Sequence, residues 1–211
     1  MKKELIINKS KTIIVILAGG QSSRFGGGYK TLHELNNISI IDSIIENFKK
    51  LDMEIILNVN SKENQFLKTG LRLVKDEIRN FQGPLAGIYS SMKWVIKNNK
   101  DIEWIFTSPS DTPFLSSNLV NKFLITKYHN NTKIVLAKTS NKIHPVIGFW
   151  HISLIKSLED FLKKDSRKIM KWVDEQNYEL INFENKNYFF NINSKSDLIE
   201  AIKIEKSLKT L

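Results

Sequence analysis

The 211-residue chain contains no cysteine, which removes disulfides, thiolate nucleophiles and cysteine-based zinc or iron-sulfur centres from consideration. Histidine is scarce as well. His33, His129, His144 and His151 never fall three to five residues apart, so no helical pair is available to cage a metal. Long apolar runs are missing: the longest, Ile13 to Ala18, falls far short of the roughly 20 residues of a membrane-spanning helix. No charged-apolar-small leader precedes it, and a cytoplasmic protein without membrane contact is expected. Arginine is limited to Arg24, Arg72, Arg79 and Arg167, against 28 lysines in runs no longer than two, beside 29 Ile and 21 Asn. The net charge of +10 therefore reads as compositional bias and not as a phosphate-binding stripe, so no nucleic-acid partner is expected. Such a charge still favours anionic ligands.

What is present fits a folded domain: 41% hydrophobic and 26% charged residues, in a length that can bury a substantial core. Residues 1–11 are mixed and basic and read as a lead-in or an edge, followed by a single domain over 12–207. Runs rich in Ile and Val at Thr12 to Leu17, Glu54 to Val59, Leu71 to Val74, Ile102 to Thr107 and Lys133 to Ala137 predict strands, several buried on both faces. His144 to Trp150, Tyr178 to Phe183 and Tyr188 to Ile192 predict later ones. Between them, Ser39 precedes Ile40, Ile41, Ile44, Ile45 and Phe48, one apolar stripe behind a plausible cap. Pro84 opens a second helix, Ser116 or Ser117 a third, and Ile152 to Leu162 and Ser166 to Asp174 predict two more. A last helix starts near Ser194, where Ser194 and Asp197 form an imperfect capping box. Alternating strands and helices predict an α/β fold, a three-layer α/β/α sandwich with a mostly parallel central sheet.

The first strand runs into Leu17-Ala18-Gly19-Gly20-Gln21-Ser22-Ser23-Arg24-Phe25-Gly26-Gly27-Gly28-Tyr29-Lys30, which holds five of the nine glycines. A glycine-rich loop at the carboxyl end of such a strand lets backbone N–H groups approach a phosphate chain, with Arg24 and Lys30 supplying charge. The alternative is a surface turn with incidental basic residues. Tyr29 stands where a P-loop needs glycine and no GxGxxG spacing is completed, which argues against the common ATPase and dinucleotide templates. Asp111, in a Ser-Asp-Thr-Pro turn after a strand, is placed either to hold a hard cation or to form an Asx turn or helix cap. Asn58 and Asp76 end the second strand and follow the third, facing the carboxyl edge of the sheet, or serve as turn residues. A carboxylate there could accept from the N1–H and N2–H of guanine.

Leu17-Ala18-Gly19-Gly20, Arg24, Gly26-Gly27 and Lys30 resemble the signature of nucleotidyltransferases with a glycosyltransferase-A-like fold, most closely the molybdenum cofactor guanylyltransferases. Four more segments resemble that family in order: Asp76 with Gly83-Pro84-Leu85-Ala86-Gly87, Ser110-Asp111-Thr112-Pro113-Phe114, His144-Pro145-Val146-Ile147-Gly148-Phe149-Trp150, and Asn191-Ile192-Asn193 with Asp197-Leu198. The resemblance implies a nucleotide-diphospho-sugar transferase type of fold, Rossmann-like, and transfer of GMP from GTP to the terminal phosphate of molybdenum-molybdopterin. It implies Mg²⁺ held by Asp111, catalysis by Asp111, Lys30 and Arg24, and GTP contacts from Leu17, Ala18, Gly19, Gly20, Lys30, Asn58, Asp76 and Asp111. His144-Pro145 and Asn191 to Asn193 would form the pterin side. Cofactor-insertion proteins or apo-molybdoenzymes would be partners. The chain departs from the family at Tyr29, where an acidic residue usually precedes the lysine, and at Phe25, where methionine is common. A sister enzyme using CTP or a sugar phosphate, and a binding protein without turnover, are the competing readings.

Overall fold

The computed structural model describes residues 4–19, 29–60, 64–78, 83–140, 142–164 and 168–208. Seven strands form the central sheet: β1 Thr12–Leu17, β2 Ile55–Asn58, β3 Arg72–Val74, β4 Trp104–Pro109, β5 Ile134–Thr139, β6 Lys142–His151 and β7 Tyr178–Phe183, in the order β7-β5-β6-β4-β1-β2-β3. β6 alone runs against its neighbours β4 and β5, and the other pairings are parallel. The reversal follows from the short connection between Thr139 and Lys142, with Ser140 at φ +46°, because only antiparallel strands can be joined so tightly.

Helices cover both faces. α1 (Ile40–Lys49), α2 (Asn64–Lys68), α4 (Ser117–Ile125) and α7 (Lys195–Leu208) pack on one, and α3 (Pro84–Asn98), α5 (Ile155–Leu162) and α6 (Ile169–Val173) on the other. β1 shows why the sequence is so rich in Ile and Val: Ile14 and Ile16 enter one core while Ile13 and Val15 enter the other, all fully buried. Each such side chain contributes about 1.5–3 kcal/mol of burial. The Ser39 hydroxyl caps α1 by accepting from the Asp42 N–H at 3.1 Å, and the expected stripe Ile40, Ile41, Ile44, Ile45 and Phe48 is buried.

Three segments differ from the sequence reading. Tyr188 to Ile192 is not a strand: a 3-10 turn spans Lys186–Phe189, started by the Asn185 side chain accepting from the Asn187 N–H at 3.0 Å. That turn sends Phe189 inward against Phe183 and His144. The segment from Ile152 begins as a 3-10 turn, Ile152–Leu154, before α5, with His151 as its cap. The helix expected from Ser166 is described over Ile169–Val173, and Ser166 itself lies outside the described residues. Near the start of the chain Glu4–Leu5 pairs antiparallel with Tyr128–His129 and Ile7 is buried. Among the described residues no helix is long and apolar enough to cross a membrane.

Candidate active site

The carboxyl ends of β1, β2, β3 and β4 open on a cavity of about 690 Å³. Leu17 and Gly19 line it where β1 passes into the glycine-rich loop. Ala18 is buried, its N–H donating to the Asn58 carbonyl at 2.8 Å. Gly20, Arg24, Phe25, Gly26 and Gly27 lie outside the described residues. The chain returns at Tyr29, whose ring is buried edge-on against Phe66 of α2 with centroids 5.1 Å apart. The residue in the place of the acid that usually precedes the lysine is thus an anchor of its own position in the core.

Behind that anchor a 3-10 turn, Lys30–Leu32, is fixed where the Thr31 hydroxyl donates to the Ser110 carbonyl at 2.8 Å. This sets Lys30 beside Asp111. The Lys30 ammonium donates to the Asp111 carboxylate and, at 2.6 Å, to Asn193 Oδ1. The Lys30 and Asp111 side chains are only 18% and 12% exposed, so the pair is shielded far more than an ordinary surface ion pair. Asn193 is held in turn by α7: its N–H donates to Asp197 Oδ2 at 2.8 Å, and the Asp197 N–H donates to the Ser194 hydroxyl at 3.2 Å. One arm of the expected capping box therefore forms, at Ser194, while the carboxylate arm reaches the N–H of Asn193 and not that of Ser194. Two further bonds tie this segment to the β4 turn. The Ile192 N–H donates to the Asp111 carbonyl at 2.8 Å, and the Thr112 hydroxyl donates to Asn191 Oδ1 at 2.8 Å.

A second polar group lies at the ends of β2 and β3. Asn58 Nδ2 donates to the Val74 carbonyl at 3.2 Å and to Asp76 Oδ1 at 2.9 Å. Asn60 Nδ2 donates to Asp76 Oδ2 at 2.7 Å, while the Asp76 N–H donates to Asn60 Oδ1 at 2.8 Å. Asn58 is buried against α3, and Gly87 makes that approach feasible: a Cβ there would stand 2.3 Å from Asn58 Oδ1 and 2.9 Å from Leu17 Cδ2. Gly83, at φ +142°, turns the chain into α3, and both Gly83 and Pro84 line the cavity.

β6 supplies the facing wall. Its pairing with β5 slips between His144 and Gly148, and the residues between them line the cavity together with Lys142. His144 Nε2 and Thr139 Oγ1 are hydrogen-bonded at 2.8 Å, and the imidazole stacks on Phe189 with centroids 4.4 Å apart. Burial, aided by the nearby Lys142 charge, pushes its pKa down to about 4, so the ring is neutral near pH 7.

The cavity thus joins a carboxylate fixed between two amides to a cation fixed between a carboxylate and an amide oxygen. Among the described residues no group of three or more His, Asp or Glu could cage a metal. Asp111 and Asn193 nevertheless present two oxygens to one positive charge, a donor set suited to a hard cation that keeps most of its ligands as water or phosphate. Residues 14–179 match the family model of the MobA-like NTP transferase domain. The chain belongs to the MobA-like NTP transferases.

Among MobA-like proteins, the molybdenum cofactor guanylyltransferase of Nitrobacter hamburgensis is 34% identical over 193 residues, 90% of this chain and 92% of its own. In fold, the chain is similar to the molybdopterin-guanine dinucleotide biosynthesis protein A of Archaeoglobus fulgidus, with a TM-score of 0.72, 18% identity and coverage of 92% and 99%. It is also similar to the 4-diphosphocytidyl-2C-methyl-D-erythritol synthase of Anaerococcus prevotii, with a TM-score of 0.68, 14% identity and coverage of 94% and 97%. Two polar residues that line this MobA-like cavity escaped the sequence reading. Asn60 could have been found as a second amide one strand period beyond Asn58, while Lys142 carried no local signal.

Proposed function

We propose that this chain transfers the guanylyl group of GTP to the terminal phosphate of molybdenum-molybdopterin, giving the guanine dinucleotide form of the cofactor and pyrophosphate. Relatives named molybdenum cofactor guanylyltransferase support the substrate pair. The observation that carries the reading is the presence on one cavity of two matched ends: the amide-braced Asp76 carboxylate, and the Lys30 and Asp111 pair that Asn193 holds in place. The first suits the N1–H and N2–H donors of guanine, which no other common base presents side by side. The second suits a triphosphate.

In this reading a pterin phosphate oxygen attacks the α-phosphorus of GTP in line, and the bond to the bridging oxygen of pyrophosphate breaks. No protein nucleophile is needed. Two anions must meet, and like charges about 4 Å apart repel by about 4 kcal/mol at an effective dielectric constant near 20, roughly a thousandfold in rate. Lys30, Arg24 and the backbone amides of Gly19 and Gly20 offset that repulsion and hold the triphosphate, the Ala18 N–H being spent on the Asn58 carbonyl. MobA-like nucleotidyltransferases typically work with a divalent metal. Asp111, with Asn193 beside it, would hold Mg²⁺, which when bound supplies neutralising charge to the phosphates. Asn58 braces the base end, and the β6 wall with Asn191 faces the pterin. The reaction belongs to a single domain over 12–207 in the cytoplasm, with the product passed to cofactor-insertion proteins or apo-molybdoenzymes.

The test is pyrophosphate release from GTP and molybdenum-molybdopterin, with thermal shifts by GTP, CTP, ATP and UTP alongside. A GTP-selective shift and a loss of turnover of at least a hundredfold in Asp111→Asn with the fold intact are expected. Selectivity for CTP would move the chain to a sister activity, and unchanged turnover in Asp111→Asn would remove Asp111 from the mechanism.

A further inference from the structure

We infer that Asn60 is a positioning residue that sets base specificity by locking the rotation of the Asp76 carboxylate. The inference rests on the guanine-binding reading of Asp76 given above. The parallel ladder between β2 and β3 ends at Asn58 opposite Val74, with one further bond from the Val59 N–H to the Val74 carbonyl. Beyond that point the backbones separate, and the Asn60 side chain continues the pairing in place of a strand. It accepts from the Asp76 N–H at 2.8 Å and donates to Asp76 Oδ2 at 2.7 Å, closing a two-bond ring across 16 residues.

The ring fixes more than position. Asn58 holds Oδ1 from the buried side at 2.9 Å and Asn60 holds Oδ2 from the exposed side, so both oxygens are pinned and the carboxylate cannot turn. Each ionised oxygen retains a further acceptor site. Two adjacent acceptors held in one plane match two adjacent donors, the Watson-Crick edge of guanine. Hypoxanthine keeps only the N1–H donor, and adenine and cytosine place an acceptor beside their amino group. Freed from Asn60, the carboxylate could still meet one donor but would lose its alignment to two. Asn58 lacks this separable role, since it is buried and serves β3 as well.

The experiment measures equilibrium dissociation constants for GTP, ITP and inorganic triphosphate, each with Mg²⁺, in the wild type and in Asn60→Ala and Asn60→Asp, with urea midpoints for all three proteins. In Asn60→Ala, GTP should weaken about tenfold, as expected for one lost hydrogen bond to a charged group, ITP by less, and triphosphate by less than twofold. Asn60→Asp, which puts a second carboxylate beside Asp76, should weaken GTP further. An unchanged GTP to ITP ratio in Asn60→Ala would overturn the inference, as would equal weakening of all three ligands, the mark of a merely structural role. A wild type that does not prefer GTP over ITP would overturn the guanine reading itself.

Discussion

Gly87→Ala tests the packing behind the site, because this single methyl must contend with two opposed effects. Inside α3 the substitution raises helix propensity by about 1 kcal/mol, so on local grounds alone it stabilises the protein. The added Cβ would lie 2.3 Å from Asn58 Oδ1 and 2.9 Å from Leu17 Cδ2, distances that heavy atoms do not tolerate. Asn58 is 3% exposed and tied to both Val74 and Asp76, so it cannot yield without breaking those bonds. Overpacking costs about 1–3 kcal/mol and a displaced amide about 1 more. The net loss is about 1–3 kcal/mol, which lowers the melting temperature by roughly 2–12 °C in a chain of this size. Calorimetry and urea unfolding measure the stability, and GTP titration measures the consequence for Asp76, whose brace on the buried side has moved. A Gly87→Ala protein as stable as the wild type or more so, with GTP affinity retained, would refute the reasoning.

Lys30→Met should admit a metal ion to Asp111 before any nucleotide arrives. In the wild type the Lys30 ammonium already occupies the carboxylate, so manganese(II) titrated alone, followed by electron paramagnetic resonance, should bind at least tenfold more tightly to the variant, and equal binding would show that Lys30 does not compete. Below neutrality, stability should fall in part through His144. Its pKa of about 4 in the fold lies below the 6.5 of the unfolded chain, so its contribution is complete above pH 6.5 and lost as pH falls toward 4, at up to about 1.4 kcal/mol per pH unit. Urea midpoints at pH 7 and pH 5 should separate more in the wild type than in His144→Gln, and an equal separation would clear His144. Gly148→Ala places a Cβ 2.1 Å from the Val135 carbonyl in the middle of the sheet, and soluble yield with midpoint should show a loss above 2 kcal/mol. A well-folded Gly148→Ala protein would mean that the slipped pairing of β5 and β6 can re-register.

The layers were legible because β1, β2 and the first half of β4 read as short apolar runs, and burial on both faces is what such runs serve. The mostly parallel order was legible too, but the one reversed strand, β6, was not. Nothing in the apolar pattern of His144 to Trp150 distinguishes a parallel from an antiparallel neighbour, and only the closeness of Thr139 to Lys142 decides it. Tyr188 to Ile192 misled because a short run of aromatic residues ending in Ile192 imitates a strand, while the Asn185 cap that breaks the pattern lies upstream of it. At the site, Lys30, Asp111, Asn58 and Asp76 stood out through neighbouring glycines and strand ends. Their partners Asn60, Asn193 and Thr31 act through hydrogen bonds across the chain, and a single sequence does not encode who meets whom. Tyr29 is the same lesson in reverse: a departure within a polar loop is explained by Phe66 on a different element.

The latch between Lys30 and Asn193 joins residues 163 positions apart, and Asn191 meets Thr112 across 79. During synthesis at about 5–20 residues per second, Thr112 therefore precedes Asn191 by roughly 4–16 s. In that interval Asn58, Asn60 and Asp76 have all been made, while the residue that holds Lys30 from the far side has not. A chain interrupted before Asn193 would lack the amide oxygen that holds Lys30 opposite Asp111. The order in which the residues are made thus leaves the clasp on Lys30 among the last contacts of the cavity that the chain can close.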